Sequence, residues 1–242
     1  QARRDVAFAY WRVARLLLAS GQTGEAISDL ESSLQIVRAL AQADPNNAQA
    51  QRDVTVILIG LGDVVWETEA YDHCRRYYVE ALGIRQELLE SQPNHPQALR
   101  DVALCYERIA DADGVLGRTS ASIDGFRRAL EIRRKLQQID PNDWNVRHSI
   151  AYALTRLGEE HARIAVAAGT SDEKASEHCA AALKALTECR KLWNEIYRHS
   201  GRPPNDQFER KTVERLIAEL QRADFRRLEP QSSASTLPNA SK

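Results

Sequence analysis

The chain has 242 residues, 43% of them apolar and 28% charged, with a formal net charge of −1 at pH 7. That length and apolar fraction are enough for a substantial core, and near-neutrality argues against nucleic acid or an anionic membrane as partner, because either selects for a clustered basic face. No apolar run nears the ~20 residues needed to cross a bilayer, and residues 1–20 carry arginines throughout, which does not suit a signal peptide.

In chain order, the opening QARRDVAFAYWRVARLLLAS reads as an amphipathic helix. GQTG at 21–24 is a turn, and a second helix follows through Leu30, Ser33, Leu34 and Leu40. Pro45 stops that helix, and Asn47 is a good N-cap for the next. From Ala48 to about Thr68, Val54, Leu58, Leu61, Gly62 and Val65 fall at helical spacings of three and four. A break at Glu69 to Tyr71 precedes a helix to about Glu90, with Cys74, Tyr78, Ala81, Leu82 and Leu88 on one face, and Pro93 ends it.

This pattern repeats. Pro45, Pro93 and Pro141 lie 48 residues apart, as do Asn46, Asn94 and Asn142, and Arg4-Asp5-Val6 returns as Arg52-Asp53-Val54 and Arg100-Asp101-Val102. His148-Ser149-Ile150 fills the slot a fourth time. A fixed period of this kind marks a stacked repeat array. Ala14, Gly62, Ala110 and Gly158 share a small slot, Leu30, Tyr78 and Phe126 a bulky one, and Ser33, Ala81 and Ala129 another small one. Alternating small and large residues let neighbouring helices approach and interlock. The recurring Arg-Asp admits two readings, a ladder of ligand-binding charges or a bond between successive units; its recurrence in step with the turn favours the bond.

The fourth unit departs from the period, since FRRALEIRRKL at 126–136 reappears as ALKALTECRKL at 182–192, eight residues late. Its first helix is expected from about Asn145 to Ala168, ended by Gly169, with Thr170 and Glu173 resembling a capping box for the next. A last helix from about Asp206 to Leu228, apolar along Val213, Leu216, Ile217 and Leu220, suits the closing cap that an array needs. The tail EPQSSASTLPNASK lacks periodicity and is expected to be disordered. The expected architecture is therefore all-α: an α-solenoid of about four antiparallel hairpins (1–48, 49–96, 97–144 and 145–201, together 1–201), a capping helix at 202–228 and a disordered tail at 229–242.

Little in the chain reads as catalytic. No glycine-rich phosphate loop is present, and His73-Cys74 and His178-Cys179 are helix neighbours pointing about 100° apart, so neither pair chelates a metal alone. Nothing local supports a protease dyad built from His161 or His178 with a cysteine, and Glu159-Glu160 and Asp172-Glu173 read as helix faces and caps rather than an acid/base pair. The four cysteines form no CxxC pair and read as buried, reduced, small hydrophobes, which fits a cytoplasmic location. No enzyme, metal or cofactor is implied by this segment.

The small residue at Ala14, Gly62 and Ala110, the bulky one at Leu30, Tyr78 and Phe126, the Ala-Leu pairs at 81–82 and 129–130, and the closing DPNN together resemble the tetratricopeptide repeat (TPR) over roughly residues 1–200. The unit departs from that family's usual length by about two helical turns in each helix. This long form is similar to arrays in large multidomain bacterial proteins that carry a serine/threonine protein kinase, a caspase-like protease or a nucleotide-binding switch. Gln1, standing inside the repeated phrase, and the lack of any methionine point to a piece of a larger protein.

The resemblance implies a protein-interaction scaffold that binds a peptide or partner protein on a concave face lined by the first helix of each unit. The alternative is a regulatory or oligomerising arm of a signalling enzyme, a kinase before a caspase-like protease, with another domain of the same chain as partner. Carried onto this chain, the face comprises Trp11, Arg12 and Arg15, then Ile59, Asp63, Trp66 and Glu67, then Glu107, Arg108 and Asp111, then Tyr152, Arg156 and Glu159. Aromatics and arginine dominate the energy of such grooves. Trp11 and Trp66 equally suit the core of these lengthened helices.

Overall fold

The computed structural model describes residues 1–167, 169–200 and 207–228, and all regular structure among them is helical. In order the helices are α1 (Ala2–Ala19), α2 (Thr23–Ala43), α3 (Ala48–Trp66), α4 (Tyr71–Ser91), α5 (Pro96–Val115), α6 (Thr119–Ile139), α7 (Trp144–Val166), α8 (Asp172–Ser200) and α9 (Gln207–Leu228). Each packs on the next in sequence, so the chain winds as hairpins α1/α2, α3/α4, α5/α6 and α7/α8, with α9 lying on α8 and α7. This is an α-solenoid.

The repeated phrase between hairpins is a helix stop followed by a cap. The Asn47 side chain accepts from the Gln49 and Ala50 backbone N–H groups, satisfying donors that the first turn of α3 leaves free. In step with it, His95 caps α5 through Ala98 N and Asp143 caps α7 through Asn145 N and Val146 N. Within hairpins the reversal needs one left-handed residue, supplied by Gly21 (φ 81°) and Gly117 (φ 73°) in units 1 and 3. Unit 2 places Glu69 there at φ 58°, a conformation that disfavours any side chain.

Small and large slots meet as their periodicity requires. Ala14, Gly62, Ala110 and Gly158 are all buried. A Cβ on Gly62 would stand 2.3 Å from Tyr78 Cε1, and one on Gly158 would stand 2.5 Å from Leu186 Cγ. Leu30, Tyr78 and Phe126 are fully enclosed, and burial of each stabilises the fold by about 1.5–3 kcal/mol relative to exposure. Ser33, in the second small slot, donates to Ala7 O at 2.8 Å and so ties α2 to α1.

The apolar interior forms two clusters. One spans α1 to α4 and takes Cys105, Ile109 and Ala112 from α5. The other begins with Leu99 and Ala110 of α5 and runs through α9, where Val213, Ile217 and Leu220 are buried. α5 thus belongs to both. All four cysteines are buried, and burial raises the Cys105 thiol to about 11, which keeps it protonated.

Two local expectations need correction or fall outside the description. Thr170 does not cap α8: its hydroxyl donates back to Ile164 O at 3.1 Å, closing the end of α7. Ser171 stands at the start of α8 instead, its Oγ accepting from Lys174 N at 3.4 Å. The expected tail at 229–242, the stretch before α9 and residue 168 lie outside the described residues.

Candidate protein-binding face

The first helices α1, α3, α5 and α7 are linked to one another by two ladders of charge. Arg4 bridges to Asp53, and Arg52 Nε donates to Asp101 Oδ2 at 3.2 Å, each joining one unit to the next. Gln49 and Gln97 donate to the same two carboxylates at 2.7 Å. Unit 4 has Ser149 where the third aspartate would stand, and Arg100 turns to Asp143, the cap of α7, at 2.6 Å. Burial opposes ionisation of Asp143, but the Arg100 bond and the Val146 and Asn145 amides outweigh it and hold the carboxyl below its ordinary value. The recurring Arg-Asp is thus a bond between units.

The second ladder runs nearer the hairpin turns, again with a 48-residue period. Arg108 of α5 lies 3.3 Å from Asp63 Oδ1 of α3, and Arg156 of α7 donates to Asp111 Oδ1 of α5 at 3.1 Å. A tyrosine hydroxyl completes each rung: Tyr78 donates to Asp63 at 2.8 Å and Tyr152 to Asp111 at 2.6 Å. Burial and the neighbouring carboxylates push both phenols well above their usual range, so they remain donors. Arg156 also holds Glu159 at 2.7 Å. At the first junction the ladder stops, because Gly60 stands where Arg108 and Arg156 stand in later units. The Trp11 indole covers the vacated place, its Nε1 lying 3.1 Å from where a Gly60 Cβ would be. Arg15 stacks over the same indole at 4.9 Å.

The predicted face divides accordingly. Asp63, Arg108, Asp111, Tyr152, Arg156 and Glu159 come together in the second ladder. Arg12 and Glu67 are exposed and lie outside it. Trp11 and Trp66 are half-buried against the N-terminal cluster, and Trp66 meets the Tyr71 ring edge-on at 4.9 Å across the α3–α4 turn. Two residues expected off the packing stripe are on it. Ile59 is buried in the core, and Glu107 is buried under a two-fold bond from Arg133, both distances 2.9 Å. Helical phase placed Glu107 off the packing stripe, whereas it is buried by its partner on α6.

Between α5 and α7 the face opens into a hollow of 310 Å³ lined by Leu104, Glu107, Arg108, Asp111, His148, Ser149, Tyr152 and Trp193. Four of these are predicted site residues. The other four were missed, yet His148 and Ser149 carry a visible signal: they replace Arg-Asp in the fourth copy of the phrase. Trp193 of α8 meets His148 edge-on at 5.3 Å, and its buried indole N–H has no acceptor among the described residues. Nor does Arg108 Nε, whose approach to Asp63 lacks hydrogen-bond geometry. Both nitrogens are enclosed by protein, so neither donor is open to a ligand in the hollow of the free chain. Among the described residues no three His, Cys, Asp or Glu side chains converge as a metal ion would require, and no helix is long and apolar enough to cross a membrane.

No protein-family model matches the sequence, and no curated protein sequence matches it. Solved structures do match in shape. The nearly identical TPR-like repeats of a Podosopora anserina protein assigned as a kinesin light chain superpose with TM-score 0.62 at 15% identity, covering 95% of this chain and 91% of that one. Yeast histone chaperone Hif1 gives 0.60 at 12% identity, covering 91% and 98%. BtubC from P. vanneervenii gives 0.52 at 16% identity, covering 99% and 89%. Helix order, small–large register and these likenesses agree: the chain folds as a TPR-like repeat α-solenoid.

Proposed function

We propose that this chain is a protein-interaction scaffold that seats an extended segment of a partner protein on the face of α1, α3, α5 and α7, with the hollow between α5 and α7 as its anchor point. The observation that carries the reading is that hollow. Its charged walls are already held by Asp63, Arg133 and Arg156, so little side-chain ordering is left for binding to accomplish. The exposed part of the Arg108 guanidinium suits backbone carbonyl oxygens of a peptide, while Leu104, Tyr152 and Trp193 supply apolar surface for one side chain. Hif1, a scaffold protein recruiting protein complexes to core histones, puts a similar architecture to the same kind of use.

The test is a peptide selected on the full chain from a random display library, with affinity measured by calorimetry. Ser149→Trp, which fills the hollow from its half-buried rim, should weaken binding at least tenfold (about 1.4 kcal/mol) with the melting temperature kept. Trp66→Ala should lower the melting temperature and leave affinity near its starting value. An affinity indifferent to Ser149→Trp removes the hollow from the proposal.

A further inference from the structure

The side of the array formed by the second helices carries a separate groove. It is a hollow of 1170 Å³ between α4 and α6, with Leu99 and Val102 of α5 as its floor and Leu89 and Ile132 on its two walls. The corresponding hollow between α2 and α4 is 550 Å³, and the Arg38–Glu80 ion pair crosses it. Arg134 and Glu188 likewise tie α6 to α8. One period after Arg38 and Glu80 stand Gln86 and Arg128, which cannot form that pair. Both turn instead to the Tyr106 hydroxyl, Gln86 Nε2 donating at 2.9 Å and Arg128 Nη1 at 3.5 Å, and the Arg128 guanidinium lies over the Tyr106 ring, 5.7 Å from its centre. Units 2 and 4 have Leu58 and Leu154 in that slot, both buried. Three departures from the repeat thus meet at one junction and leave its groove open.

The groove has electrically opposite ends. At one, Gln86, Tyr106 and Arg128 converge from three different helices, and the Tyr106 hydroxyl accepts both bonds, so its own hydrogen remains to be donated. No carboxylate among the described residues bonds to Arg128. Donors so placed suit a carboxylate. At the other end α4 and α6 both stop, neither with a basic residue in its last turn, and Glu90 adds a further negative charge. Lys135, which lies between, is held by Glu131 at 3.2 Å. From Arg128 to Gln138 the groove runs about 15 Å along α6, nearly three helical turns. Its walls are helices whose backbone groups bond within themselves, so an extended segment would find no main-chain partners there, whereas a helix brings its own. Further repeats at either end of the array would stack beside α1 or beyond α9, not between α4 and α6. We propose that this groove docks an amphipathic helix of a partner protein, its apolar residues on Leu89 and Ile132, an acidic side chain at Arg128 and a basic one at Glu90.

The probe is a constrained helical peptide, selected from a display library on the full chain carrying Ser149→Trp, which blocks the hollow between α5 and α7 and keeps the two surfaces apart. Selected helices should carry an acid and a base flanking an apolar stripe. Gln86→Arg with Arg128→Glu installs at this junction the pair found at Arg38 and Glu80, so the fold is kept while the groove is crossed. That double exchange should weaken calorimetric binding at least tenfold with the melting temperature unchanged. Arg128→Glu alone should weaken it as well, and a helix whose acid is exchanged for lysine should regain most of the loss on that variant. Helices indifferent to the double exchange, or a charge exchange that restores nothing, overturn the proposal, as does a library that yields no binder. So does sedimentation of the unliganded chain as a dimer that the double exchange dissolves, which would make a second copy the occupant.

Discussion

Gly62→Ala is the most informative single substitution in the packing scheme. The added Cβ would lie 2.3 Å from Tyr78 Cε1, 2.7 Å from Cζ and 2.8 Å from Cδ1, against the flank of the ring rather than a flexible tip. Tyr78 is fully buried, and its hydroxyl is fixed on Asp63 at 2.8 Å, so the ring cannot swing aside without weakening that bond. Overpacking costs about 1–3 kcal/mol, and loss of a hydrogen bond to a charged group about 1.5–3 kcal/mol. Alanine's better helix propensity offsets about 1 kcal/mol. The net expectation is a loss of about 2 kcal/mol, a fall of roughly 4–8 °C in melting temperature. Gly83→Ala is the matched control, since a Cβ there meets nothing within 4 Å on α4, and it should stabilise by up to about 1 kcal/mol. Adding Tyr78→Leu to Gly62→Ala copies the Ala14/Leu30 pairing of unit 1 and should recover part of the loss. Denaturant melts of the parent, the two single variants and the double complete a double-mutant cycle. If Gly62→Ala stabilises as Gly83→Ala does, the small–large register is wrong.

Two further predictions concern buried polar groups. His161 sits on α7 with Nδ1 2.8 Å from His178 Nδ1; burial first, then the charges of His178 and Arg127, lower it from 6.5 to about 4, while Glu177 opposes. The unfolded chain therefore binds that proton more tightly, so this site's contribution is intact above pH 6.5 and lost by up to about 3 kcal/mol as pH falls toward 4. His161→Leu with His178→Ala, copying Leu17 and Ala26 of unit 1, should lessen the fall in urea midpoint between pH 7 and 5; an unchanged slope would exclude the pair as its source. Asp111→Ala strips a partner from both Tyr152 and Arg156 and should cost about 2–3 kcal/mol by urea melts, whereas Arg38→Ala, breaking an exposed pair with Glu80, should cost under about 1 kcal/mol. Equal costs would refute the structural role given to the ladder.

The period was legible because it is written in residue types that one position strictly limits. A proline after each second helix, a capping side chain at Asn47 and Asp143, and a small residue at Gly62 or Gly158 each answer a local steric or hydrogen-bond demand. Helix boundaries consequently fell within about two residues of those observed, as in Ala48–Trp66 and Tyr71–Ser91. Partner choice was not legible. Glu107 and Arg133 lie on different helices, and nothing in either's neighbours in sequence announces a buried pair. The capping of α8 shifted by one residue because Thr170 can satisfy a carbonyl of α7 as readily as an amide of α8. The hollow combines both cases: Arg108 and Tyr152 were read from helical phase, while Trp193 reaches it from α8 by packing that only the folded chain displays.

The most direct measurement is nuclear magnetic resonance mapping of a selected peptide on the isotopically labelled chain. The Trp193 indole N–H, one of only four indoles in the sequence, is a built-in reporter because this residue lines the hollow. Binding on the proposed face should shift that resonance as the surroundings of the ring change, together with the amides of Leu104, Arg108, Ser149 and Tyr152. Saturating shifts confined to α2, α4 and α6, with the Trp193 indole unmoved, would contradict the account.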